Sequence, residues 1–542
     1  MSLLIDRRSL LMTGTLGIGA FAIPGFAQTL SIADARGFTH SVASGEPAAD
    51  SMLLWTRYVP ANGGAVELKA EIAETPDFAR VISGGAQITG PWRDHTAKIT
   101  VEGLRPGRIY HYRFVAPDGS FSPVGMTKTL PEGDMARRFR AAIFSCSNMP
   151  FGYFNAYAHA VERGDIDCAV HLGDYFYEYA TGNYPAPADA VAGRNPLPAN
   201  ETISLADYRI RYASYRADPD LQRLHAAMPM IAQWDDHESA NDSWEGGAQN
   251  HQPDEGPWLS RRAAAIQAYR EWMPVSDEPW KAYDIGDLAT LFRTETRLLA
   301  RTEQPDIAPL FKQADPVAAL KAFRDGPWMD PGATMLGTQQ EDWLFHAMKA
   351  SVKAGRRWQV VGFGTIMGQT YMPPAAENWL GSAPSARAKG YVEAGIAAAK
   401  VGLPFNYDNW GGYPAARARF LRAAQALDSD LVVISGDSHN AWTYDLGQDG
   451  KAAGVEFAGQ SVTSPGYEHS TSADPKTVAA GMIAASPELK WCDTSHRGYM
   501  VTTIEPDRVS NDWVLLDTIR QRSLAARVGH SARVDRGRHV LA

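Results

Sequence analysis

Five short, apolar, β-branched runs in the second part of the chain most constrain its fold: RFRAAIFSC, DCAVHLGD, MPMIAQWDDHE, RRWQVVGFGT and DLVVISGDSHN. Helical-looking stretches such as FGYFNAYAHAVERG, LSRRAAAIQAYREWM and PAARARFLRAAQAL separate several of them. Near-continuous apolar strands alternating with helices imply sheets covered on both faces. Four of the five runs end in groups that carry chemistry: Cys146; Asp174, with Tyr177 three residues on; Asp235, Asp236 and His237; and Asp437 with His439. Active sites in α/β folds form beyond the carboxyl ends of strands, where a rigid scaffold hands over to adaptable loops.

Taken singly, each of these residues has a plain structural use. An aspartate after a strand caps the next helix. The phenols of HLGDYFYEY bury their rings, which is the expected use of Tyr175, Phe176 and Tyr179. Adjacent Asp235 and Asp236 point different ways on an extended backbone, so one of them faces a given site. Taken together they demand more, because several anions clustered in a partly buried site need a cation.

The N-terminus, MSLLIDRRSLLMTGTLGIGAFAIPGFAQT, reads as an export signal over residues 1–27, with Arg7-Arg8 pointing to twin-arginine translocation. Its apolar stretch is broken by Gly17, Gly19 and Pro24, which argues against a stable membrane anchor. A periplasmic or secreted protein is expected. Three cysteines are too few for a disulfide scaffold. Cys168 reads as a small buried hydrophobe, whereas Cys146 stands at a strand end. A net charge of −9 argues against a nucleic-acid-binding surface. Residues 38–133 alternate short strand-like runs with turns and read as an all-β domain of fibronectin or Ig-like kind, LRPGRIYHYRF resembling its tyrosine corner. The catalytic domain is expected over 138–517, and 518–542 as a C-terminal helix or tail.

The motifs resemble those of calcineurin-like metallophosphoesterases in their PhoD-type alkaline phosphatase form. Gly173-Asp174-x-x-Tyr177, Asp235-Asp236-His237-Glu238 and Gly436-Asp437-x-His439 carry the resemblance, and SVASGEP, LLWTRY, LGTQQEDWL, NWGGYPAAR and SVTSPG occur in the same order. It covers about residues 38 to 517. It implies an α/β fold: a metallophosphoesterase β-sandwich with flanking helices, beside the small N-terminal all-β domain. It further implies iron(III) (Fe³⁺) held by Cys146, Asp174, Tyr177 and His439, and calcium (Ca²⁺) sharing Asp174 and held by Asp236 and Asp437, with Asn241 on the calcium side. Phenolate and thiolate suit iron(III), and calcium takes oxygens. His237 resembles the family histidine that stabilises charge on phosphate or protonates the leaving alkoxide, and Arg297 is the expected clamp on a phosphoryl oxygen.

The implied function is an exported phosphoesterase that hydrolyses small-molecule phosphomonoesters, and phosphodiesters too, by a metal-bound hydroxide. A monomer is expected, with the twin-arginine translocase as partner during export. A phospholipase D-like diesterase of the same family is an alternative, since rim loops decide access. Two other classes stand beside it. One is an iron-containing oxidoreductase, disfavoured by the acidic half of the site and the lack of a second cofactor motif. The other is a carbohydrate- or surface-binding protein, disfavoured by four chemically equipped strand ends.

Overall fold

The computed structural model describes residues 35–381 and 386–542, and Arg36–Ala542 form one compact unit. The expected export signal, residues 1–27, lies outside the described residues. Among them, no helix is long and apolar enough to cross a membrane.

Three runs singled out above become Phe139–Phe144, Cys168–His171 and Met230–Ala232, parallel neighbours at the centre of a nine-stranded sheet. The other two become Trp358–Phe363 and Leu431–Ser435, parallel neighbours within a seven-stranded sheet that also holds Ala289–Arg293 and Lys451–Ala458. The two sheets share one core, in which Ile143, Val170 and Ile231 from the first join Leu291, Val360, Val432 and Phe457 from the second. Alternate residues of the second sheet, Phe292, Val361 and Val433, pack outward with Leu344 and Met348 of helix Gly337–Lys353 and Phe420 of helix Pro414–Ala426. Both faces of these strands are thus buried, which is why their sequences carry no polar alternation. All five run in parallel register within their sheets, so their carboxyl ends emerge at one rim.

The N-terminal region is all-β, as expected, and continuous with the larger sheet. Strand Gly37–Gly45 pairs parallel to the central strand at Gly45↔Met230, and Ser51–Val59 and Thr96–Glu102 extend the sheet beyond it. A separate four-stranded sheet, with Val66–Ala73 and Ile109–Val115 at its centre, closes a sandwich over Val42, Met52, Leu54, Ile72, Ile99, Tyr110 and Tyr112. The Tyr110 hydroxyl accepts the Arg105 backbone N–H at 2.8 Å, the bond of a tyrosine corner.

The C-terminal segment differs from expectation. Instead of a helix or tail, Ala526–Asp535 forms an edge strand antiparallel to Arg508–Leu516, from Leu516↔Ala526 to Arg508↔Asp535. Its sequence, ARVGHSARVD, buries only Val534 fully, so helical periodicity offered no better apolar face.

Candidate active site

The strand ends turn sharply, and the turn residues are themselves the chemically equipped ones. Cys146, Asp174, Asp437 and His439 have φ of 59°, 54°, 65° and 62°. Left-handed backbone at non-glycine residues costs on the order of 1 kcal/mol or more each and persists where surrounding structure imposes it. Gly173 (φ 113°) lets two strand ends approach backbone to backbone, since a Cβ there would lie 2.4 Å from the Asp235 nitrogen.

The pins are hydrogen bonds to backbone. Glu238, 2% exposed, accepts the N–H groups of Asp174 at 3.0 Å, Tyr175 at 2.6 Å and Asp235 at 2.8 Å, tying both strand ends to one carboxylate. Glu295 does the same for Arg297, Leu298 and Leu299. Burial pushes the Glu238 carboxyl up to about 7.

The side chains divide into two groups around Asp174. On one side, Cys146, Asp174 and His439 present donor atoms within 4.8 Å of one another. The Tyr177 hydroxyl lies 3.2 Å from Asp174 Oδ2 and 3.0 Å from His439 Nε2. His439 Nδ1 is 2.9 Å from the Pro465 carbonyl, so it carries the proton and leaves Nε2 as a donor to a metal. Ser464 Oγ is 2.7 Å from the Tyr177 oxygen and 3.1 Å from the Cys146 carbonyl. On the other side, Asp174, Asp235, Asp236 and Asp437 form a second cluster of the same compactness, and Asp236, Asp242 and Asp408 a third.

These residues fit cations on two observations. First, Asp174 Oδ1 and Asp236 Oδ1 are buried with no hydrogen-bond partner among the described residues, and Arg297 approaches the latter only to 3.8 Å. Second, the site holds more anionic groups than nearby protein cations neutralise. Burial, reinforced by neighbouring carboxylates, pushes Asp174 and Asp437 well above the carboxylate range. Burial followed by Asp174 raises the Cys146 thiol and the Tyr177 phenol. Burial is the first cause of these shifts, and carboxylates crowded in a dry site ionise together only beside positive charge. The donor chemistry is also segregated, with sulfur, phenol and imidazole on one side and carboxylates on the other.

His237 stands beside both groups, its ring 4.2 Å from that of Tyr177. Its Nδ1 is 2.7 Å from Oε2 of Glu178, a fully buried carboxylate that also takes the Asn241 N–H and the Asn250 amide. Burial opposes charging, but Asp236, Glu178 and Asp174 together raise the imidazole well above its ordinary value.

Two expected residues are placed elsewhere. Arg297 is fully buried and its guanidinium is occupied. Nε and Nη2 hold Asp235 at 2.6 and 3.2 Å, and Nη1 holds Asp408 at 2.7 Å. It is a counter-charge to carboxylates, not a free clamp for phosphate. Asn241 turns its amide to Gln249 at 3.0 Å, while its neighbour Asp242 brings its carboxylate to Asp236 and Asp408 and its N–H to Asp236 Oδ2 at 2.7 Å. Sequence reading missed Asp242, Asp408, Glu178 and Ser464. The last two stand in stretches named above, Glu178 in HLGDYFYEY and Ser464 in SVTSPG, whereas Asp242 follows Asn241 and Asp408 precedes NWGGYPAAR, with no local sign of their partners. Tyr175 and Phe176 do pack, Tyr175 bonding His225 at 2.8 Å and Phe176 lying against Tyr212.

Comparison with known proteins agrees in extent. Residues 141–513 match the family model described as PhoD-like phosphatase, and residues 26–131 that of the PhoD-like phosphatase N-terminal domain. Alkaline phosphatase D of Bacillus subtilis is 31% identical over 96% of this chain and 86% of its own length. A solved structure of PhoD is 28% identical, covers 93% of this chain and 92% of its own, and superposes with a TM-score of 0.76. Purple acid phosphatase PPD1 from yellow lupin seeds shares the fold at a TM-score of 0.54 and 12% identity, over 92% of this chain and 75% of its own.

Proposed function

The chain belongs to the PhoD-like phosphatase family and is a phosphoester hydrolase, and from that premise we propose that it is a metal-dependent phosphoesterase holding iron(III) and calcium. It acts on small phosphomonoesters and also on diesters, outside the cytoplasm, after twin-arginine export. The observation that carries the metal reading is the pair of orphaned, buried carboxylate oxygens on Asp174 and Asp236.

Cys146, Asp174, Tyr177 and His439 would hold the iron, and Asp174, Asp236 and Asp437 the calcium, with Asp242 and Asp408 in place of Asn241 on that side. When bound, the ions supply positive charge for the phosphoryl oxygens and acidify the attacking water. The chain's own residues do the rest. His237, oriented through Nδ1 by Glu178, holds a proton at its other ring nitrogen and delivers it to the leaving alkoxide. Arg297 keeps Asp235 and Asp408 ionised and fixed. The four left-handed residues at three strand ends pre-set the donor positions, so little reorganisation accompanies reaction.

The test is elemental analysis of natively exported protein together with Asp174→Ala. Expected are iron and calcium in the wild type, their loss in the variant, and a fall of about 10³-fold or more in hydrolysis of 4-nitrophenyl phosphate and its bis ester. A variant that keeps its metals, or an enzyme indifferent to chelators, would refute the reading.

A further inference from the structure

A cavity of about 250 Å³ opens beside the proposed metal centre, roofed by the 180–199 loop. Tyr177, Tyr179, Tyr184 and Tyr215 form its walls together with Pro150 and Pro185. Asn148, two residues beyond Cys146, also lines it and is fully buried. Neither Asn148 Oδ1 nor Nδ2 has a hydrogen-bond partner among the described residues. A buried carboxamide unpaired at both ends is costly, and groups of this kind mark places where a partner is supplied from outside the chain.

Among the described residues, the wall's one arginine has its donors already engaged. Arg211 spends its guanidinium on the main-chain oxygens of Tyr177, Tyr179, Leu197, Pro198 and Asn200. What remains is mostly aromatic, proline and small-residue surface, with Thr181 and Asn195 on its exposed side and Asn148 as its buried carboxamide. The volume falls below the roughly 300–1,000 Å³ of sites for drug-sized ligands, and suits one ring system.

The cavity is also joined to the chemistry. Tyr177 belongs to the proposed metal donors and lines the cavity, and its ring is 4.2 Å from that of His237. Tyr179 lies 5.5 Å from the same imidazole and 5.6 Å from Tyr184. A leaving alkoxide protonated by His237 would thus have its carbon substituent within reach of the tyrosine wall.

We propose that this cavity is the leaving-group subsite, and that it selects phosphoesters whose alcohol part carries a planar, uncharged heteroaromatic ring, stacked on Tyr179 or Tyr184 and hydrogen-bonded both ways by Asn148. Amide side chains recognise heteroaromatic edges through paired donor and acceptor contacts, and aromatic faces bind such rings with little demand on sequence or substituent. The inference rests on the phosphoesterase reading above, with His237 as proton donor.

The experiment uses the metal-loaded full-length mature enzyme and two primary-alkyl monoesters whose alcohols are of similar acidity, 2-(uracil-1-yl)ethyl phosphate and 2-methoxyethyl phosphate, assayed below the pH at which the uracil ring ionises. The wild type is expected to favour the ring ester by about tenfold or more in kcat/KM, mostly through KM. Asn148→Leu and Tyr184→Ala should each reduce that preference at least threefold. Thr181→Trp, which fills the cavity from an exposed position without hollowing the core, should do the same. Equal kcat/KM for the two esters in the wild type, or a preference that survives all three variants, would show a water-filled void and overturn the subsite. Loss of 4-nitrophenyl phosphate hydrolysis by the wild-type metal-loaded enzyme would instead strike the phosphoesterase reading, and the subsite with it.

Discussion

Replacing Glu238 by alanine removes the acceptor of three buried backbone N–H groups at once, those of Asp174, Tyr175 and Asp235. Each buried donor left unpaired costs about 1–3 kcal/mol, and water entering the vacated space recovers part of it, so a net loss of about 3–6 kcal/mol is expected. Glu238→Gln keeps one carbonyl oxygen. Oriented towards Asp174 and Asp235, which share Oε2, it leaves only the Tyr175 N–H without an acceptor, and the loss falls to about 1–3 kcal/mol. Both strand ends hang on this carboxylate, so the consequence reaches the site: metal affinity should drop roughly 10–100-fold in the alanine variant, as for other outer-sphere supports of a metal. Amide hydrogen exchange reads the mechanism directly. Peptides spanning 172–176 and 233–236 should lose protection in Glu238→Ala, while strand Trp358–Phe363 keeps it. If the alanine variant loses less than about 1 kcal/mol and those peptides stay protected, Glu238 is not the pin and the reasoning fails.

Two further outcomes are expected. Ser464→Ala removes the hydroxyl 2.7 Å from the Tyr177 oxygen, so a phenolate-to-iron absorption band of the native protein should move to longer wavelength; an unmoved band would exclude a bond to a ligating phenolate. Lys98 is held at about 8 against an ordinary 10.5, by burial first, with Asp277 no closer than 3.8 Å to offset it. Because its folded value lies below its unfolded one, the native state binds this proton more weakly, and stability should rise by at most ~3 kcal/mol between pH 8 and 10.5. In Lys98→Met that rise should vanish from denaturation midpoints measured at pH 7.5 and 10, and parallel profiles for the two proteins would disprove it.

Much of the site was legible because its chemistry sits at the ends of strands. Cys146, Asp174, Asp437 and His439 each follow an apolar run by a few residues, and a strand's end fixes where its next residue goes. Residues in loops had no such guide. Asp242 and Asp408 lie 166 positions apart in chain order yet share a cluster with Asp236, and nothing in either local sequence says that they meet. Arg297 shows the complementary error: an arginine near a phosphate site reads as a clamp until its partners, Asp235 and Asp408, are seen to occupy it.

The sequence by itself determined the layered α/β core, the all-β N-terminal region and the set of donor types at one rim. It could do so because apolar periodicity and strand-end chemistry are local properties, written within ten residues. Tertiary structure alone decided that Gly37–Gly45 continues the catalytic sheet through Gly45↔Met230, that the last residues add an edge strand, and that Glu238 binds two loops together. Those are pairings between distant segments, set by which backbone groups need partners once the core has closed, and no window of the chain contains both halves of such a pair.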